Sequence, residues 1–93
     1  MPGCTINFTI RYANGQLAPF CSVDVFQVIL RLWLVPPIDK WVMSKTANSS
    51  GQVSFDLDKG REYHFVFKVP GKVAHIFRTL DYCPIYMGAK FPS

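Results

Sequence analysis

His64 and His75 are the only imidazoles in this chain of 93 residues, and they are its candidates for general-base or metal-ligand chemistry. His64 alternates with Tyr63 and Phe65, which places it on the face opposite those rings, toward solvent. His75 falls on the adjacent strand, beyond the Pro70-Gly71 turn. The two could form a surface site, but a zinc centre takes three or four protein ligands, and two imidazoles do not define one. The cysteines Cys4, Cys21 and Cys83 show no C-x-x-C spacing, so neither a thiolate zinc site nor a complete disulfide framework is written here. An odd count allows one bridge and leaves a free thiol. Cys4 and Cys21 flank the first hairpin and could approach each other. Cys21 and Cys83, beside Phe20 and Tyr82, are expected as inert buried thiols, because a cysteine nucleophile needs a setting that stabilises thiolate. Asp56-x-Asp58-x-Gly60-x-Glu62 alternates carboxylates like a calcium loop but is too short to be one. Asn7-Phe8-Thr9 and Asn48-Ser49-Ser50 fit the N-glycosylation pattern, and Asn48 is accounted for by its turn.

A chain of this length holds one core, so residues 1–93 are expected to form a single domain. Hydrophobic residues make up 49%, aromatic 15% and charged 17%. An average soluble protein carries roughly 25% charged residues, so disorder is excluded for most of the chain. The net charge of +4 comes from ten Lys and Arg against six Asp and Glu, and Lys40, Lys45, Lys59, Arg61, Lys68, Lys72 and Arg78 are nearly all interrupted by apolar or acidic neighbours. No basic run of the kind that binds nucleic acid or anionic lipid results, and nucleic acid is not an expected partner. Met1-Pro2-Gly3-Cys4 lacks a basic n-region and Asn7 and Thr9 break any apolar core, so the chain is expected to be mature or cytosolic. The most apolar stretch, 23–35, contains Asp24, Gln27 and Arg31 and is too short for a membrane span.

The elements that must carry these residues read as strands. Ile6, Phe8, Ile10 and Tyr12 alternate with Thr5, Asn7, Thr9 and Arg11, and Asn14-Gly15 then turns the chain. From 20 to 35 the apolar parity changes from Cys21, Val23 and Val25 to Phe26, Val28, Leu30, Leu32 and Leu34. A bulge near Phe26-Gln27 would reconcile the two, and a buried helix competes with a strand here. Further strands are expected over 38–46, 52–58, 62–69 and 72–79, separated by Asn48-Ser49-Ser50-Gly51, Lys59-Gly60 and Pro70-Gly71. Residues 80–93 are too apolar for a free tail and are expected to pack on the body or on a partner. Six or seven short strands at this spacing predict an all-β fold, a small antiparallel β-sandwich.

Asn14-Gly15-Gln16-Leu17-Ala18-Pro19, Val23-Asp24-Val25, Thr46 with Gly51-Gln52-Val53-Ser54-Phe55-Asp56-Leu57, and Gly60 through Phe65 together resemble the transthyretin-like or carboxypeptidase-regulatory-like β-sandwich superfamily. The resemblance covers residues 5–70 and implies a sandwich of about seven strands, transthyretin-like or immunoglobulin-like. One branch of that superfamily hydrolyses hydroxyisourate at a tetramer channel and ends in Tyr-Arg-Gly-Ser. Here Tyr86-Met87-Gly88-Ala89 keeps the Tyr and Gly but not the Arg that would bind an anionic substrate.

The function expected is a non-enzymatic binding or assembly module, acting through protein–protein contacts and self-association, with no cofactor. Its contacts are expected from edge strands and from Ile29, Arg31, Trp33, His64 and His75, with Ile29 and Trp33 forming an apolar patch. The alternatives are a transthyretin-like hydrolase at an oligomer interface, using His64, His75, Arg11 and Arg78, and a nucleic-acid-binding β-barrel. For the last, Trp33, Trp41, Tyr63, Phe65 and Phe67 would form a stacking platform, although most of these rings read as core.

Overall fold

A strand that alternates apolar and polar residues can bury only one face. β1 (Gly3–Arg11) does so, hiding Cys4, Ile6, Phe8 and Ile10 while Thr5, Asn7 and Thr9 face outward. Six more strands follow: β2 (Ser22–Leu30), β3 (Ile38–Thr46), β4 (Gln52–Asp58), β5 (Glu62–Val69), β6 (Lys72–Thr79) and β7 (Ile85–Lys90). The computed structural model describes residues 3–29, the backbone of Leu30, Val35, and residues 38–93. Two sheets result, in the orders β4-β1-β7 and β3-β2-β5-β6, and they pack face to face as a small β-sandwich. Among the described residues no helix is long and apolar enough to cross a membrane.

The core lies between the sheets and is largely aromatic. Phe8 of β1 meets Phe65 and Phe67 of β5 edge-on, with ring centroids 4.8 and 5.0 Å apart, and also reaches Phe55 of β4 at 6.4 Å. Each of these rings is buried to 1% exposure or less. Edge-to-face pairs of this kind add to the area term of burial. Tyr63, Phe65 and Phe67 are therefore core residues, with none of them available as a stacking platform.

The expected all-β sandwich of seven strands is what forms, antiparallel except that β7 pairs with β1 in parallel, with Ile6 opposite Ile85 and Ile10 opposite Ala89. The connection back from β6 crosses to the other sheet, so β7 enters beside β1 from the same end. Two other expectations are corrected. The disulfide joins Cys4 to Cys83, not to Cys21. Cys83 sits just before β7, where the parallel pairing brings it to the start of β1, and Cys21 remains a buried free thiol. Finally, the two apolar parities of β2 are two faces of one strand. Val23 and Val25 point into the core, whereas Phe26 and Val28 lie half-buried on the outer face.

The ladder between β2 and β3 is irregular at Val25/Phe26, and the extra residue there is Val42 of β3, while β2 keeps an unbroken register with β5. That bulge separates Trp41 from Met43, which simple alternation would place together. Met43 packs against the core, and Trp41 turns outward with 57% exposure. A second shift leaves Ile29 as the extra residue on β2.

Candidate functional site

The outer face of the four-stranded sheet gathers the chemistry-bearing side chains. Register alone makes the arrangement: Trp41 of β3 is opposite Phe26 of β2, Phe26 is opposite His64 of β5, and His64 is opposite Phe77 of β6. One row of four rings therefore crosses every strand. Residues paired across strands lie on the same face, so the row follows from strand order once His64 is outward. The His64 ring stacks on Phe77 at 4.1 Å with 9° between planes, and it lies 5.8 Å from Phe26. The stacking covers one face of the Phe77 ring, which stays 40% exposed at the edge of the sheet.

His64 is held from both sides. Its Nδ1 lies 2.8 Å from Asp39 Oδ2, and its Nε2 lies 2.9 Å from His75 Nδ1. An ionised carboxylate only accepts, so Nδ1–H of His64 donates to Asp39, and in the neutral ring Nε2 is then left to accept from Nδ1–H of His75. Contrary to the solvent-facing placement expected of it, the His64 side chain is only 14% exposed, because Phe26 and Phe77 flank it. His75 is exposed. The three groups form a chain rather than a convergent set. Among the described residues no three His, Cys, Asp or Glu side chains are placed to hold a metal ion.

A polar strip borders the rings. Trp41 Nε1 donates to Ser44 Oγ at 3.0 Å, and Ser44 donates to Asp24 Oδ1 at 2.6 Å, with Lys68 Nζ 3.2 Å from the other carboxylate oxygen. The Ser44 hydroxyl, followed by Lys68, holds the Asp24 carboxyl below its usual range.

The sequence-derived candidates separate in space. His64 and His75 meet, but Arg11 lies on the other sheet, donating to Gly15 O at 2.9 Å. Arg78 pairs with the inward-facing Tyr63 and so points away from the imidazoles. The four do not converge within one chain. Ile29 is 56% exposed, whereas Arg31 and Trp33 lie outside the described residues. Asp39, Phe26, Trp41 and Phe77 are additional residues of this face. Phe26 carries a sequence signal, since it shares the parity of Ser22 and Asp24 in its strand, but Phe77 and Asp39 carry none.

The opposite face of the sandwich is polar. Asn7, Thr9, Gln52, Ser54 and Tyr86 line a shallow open groove there. The Asn7 amide nitrogen donates to Ile85 O, and its oxygen accepts from Ser54. Cys21 lies beneath the sheets, and burial pushes its thiol above the ordinary range. Cys83, expected as an inert buried thiol, is instead exposed and bridged.

Compared with known proteins, the chain matches no family model and none of the curated sequences. Fold and site together define a small all-β sandwich with a ring-lined outer sheet face.

Proposed function

We propose that the chain is a non-enzymatic binding and assembly module whose contact surface is the outer side of the four-stranded sheet and whose first partner is a second copy of itself. The observation that supports this is the row of rings and apolar side chains left exposed on that face: Trp41 at 57%, Val73 at 44% and Phe77 at 40%. Contiguous apolar surface of this kind marks interaction sites, and aromatic residues are enriched in the buried centres of interfaces. The test is absolute mass by light scattering coupled to size exclusion, at low and moderate salt. A dimer or larger species insensitive to salt supports the module, and Val73→Ser with Phe77→Ser should return it to one chain. A single-chain mass at all concentrations would overturn it.

A second reading, a hydrolase at an oligomer interface, is favoured by the Asp39-His64-His75 chain, whose last ring is open to substrate. Turnover unchanged by alanine at both histidines would remove it.

A further inference from the structure

His64 Nε2 and His75 Nδ1 face each other 2.9 Å apart, with one proton between them. Metal ions compete with protons for such nitrogens, and the separation suits the exchange. Two imidazole nitrogens bound at a right angle to one ion, each about 2.0 Å from it, lie about 2.8 Å apart. A tetrahedral centre would open the same pair to about 3.3 Å. The strands hold the two rings in place: His64 is opposite Phe77 and His75 is opposite Val66, so the imidazoles are diagonal neighbours across β5 and β6, with their planes 28° apart.

His64 also has the surroundings of a ligating imidazole. Its Nδ1–H donates to Asp39 at 2.8 Å, which leaves the lone pair on Nε2 and makes that nitrogen more basic. Phe77, stacked on the ring at 4.1 Å, and Phe26 on its other flank keep it from turning. His75 is exposed and can rotate to meet an ion that enters from solvent. We infer that His64 Nε2 and His75 Nδ1 form a two-imidazole site for a divalent transition-metal ion, Cu²⁺ ahead of Zn²⁺, with water completing the coordination sphere and Asp39 acting through His64 without touching the ion. Cu²⁺ leads because it prefers a tetragonal arrangement with right angles between ligands and binds nitrogen more tightly than the other divalent ions of its row. Protons balance in the exchange: His64 keeps its Nδ1–H, and the proton on His75 Nδ1 passes through water to Nε2 of the same ring. The site lies within one chain and needs no second copy, so it stands or falls separately from the assembly reading.

The test is titration of the metal-free protein with Cu²⁺ alone and, separately, with Zn²⁺ alone. One equivalent of Cu²⁺ is expected to saturate the protein and to give a tetragonal electron paramagnetic resonance signal coupled to imidazole nitrogens. Asp39→Asn should weaken binding about 10–100-fold, as loss of a carboxylate behind a ligating histidine does, and His75→Ala should weaken it at least as much. Because His75 is exposed, its alanine variant should melt as the parent does, which separates loss of a ligand from loss of the fold. Diamagnetic Zn²⁺ at saturation should move the His75 proton from Nδ1 to Nε2 in nitrogen–proton correlation spectra and leave the His64 proton on Nδ1. Cu²⁺ binding that is not saturable, or that His75→Ala leaves unaltered, would overturn the site. A Zn²⁺ complex in which His75 keeps its proton on Nδ1 would overturn it as well.

Discussion

His64 Nε2 lies 2.9 Å from His75 Nδ1, while His64 Nδ1 lies 2.8 Å from Asp39 Oδ2. The carboxylate therefore selects the tautomer of one ring, and that ring selects the tautomer of the next. With both rings neutral, each histidine should carry its proton on Nδ1, which long-range nitrogen–proton correlation spectra would show directly. Asp39→Asn should disturb the tautomer of both rings, although Asp39 makes no contact with His75 in this chain of bonds. A His75 signal unaltered by Asp39→Asn would contradict the coupling.

Asp24 accepts from Ser44 and Lys68, and its carboxyl is held below the ordinary value near 3.9. A carboxylate with a depressed folded-state pKa stabilises the fold above its unfolded value, and that contribution is lost as pH falls through the folded value. Urea unfolding followed from pH 7 to pH 2 should show this loss at and below about pH 4, and Asp24→Asn should flatten the profile there. Because Lys68 is largely exposed, added salt should change the effect little compared with loss of the Ser44 hydroxyl.

The Cys4–Cys83 bridge closes a span of 79 residues and fixes the entry of β7 beside β1. Paired serine substitutions should cost about 2–4 kcal/mol, since a cross-link over a long loop restricts the unfolded chain strongly. Thiol counting gives a companion result. The native protein should resist alkylation at Cys21, which is 0% exposed with a raised pKa, whereas denaturation without reductant should reveal one thiol.

Gly51 occupies φ 71° beneath the Ala18 loop, its carbonyl accepting from Ile10 N at 2.8 Å. A Cβ there would lie 2.7 Å from Ile10 O and 3.1 Å from Ala18 O, both backbone atoms with little freedom to yield. Gly51→Ala should cost at least about 1–3 kcal/mol from backbone strain alone. Gly88→Ala meets nothing within 4 Å and provides the matched control, expected to stay within about 0.5 kcal/mol in a thermal melt.

Alternation in the sequence determined most of the strand inventory. Ile6, Phe8 and Ile10, then Val53, Phe55 and Leu57, then Tyr63, Phe65 and Phe67 each recur with the pleat's period of two, so each strand and its buried face is a local property. The turns were legible for the same reason: Gly15, Gly51, Gly60 and Gly71 all take positive φ, which glycine adopts at little cost.

What only the tertiary structure decided depends on which strands become neighbours. The parallel docking of β7 on β1 chose Cys83 as the partner of Cys4. The bulge at Val42 turned Trp41 outward, and the order β3-β2-β5-β6 aligned it with Phe26, His64 and Phe77 and brought Asp39 to His64. A residue's face is fixed by its own strand, but its partner is fixed by register between strands far apart in the chain, and no short-range pattern encodes that distance.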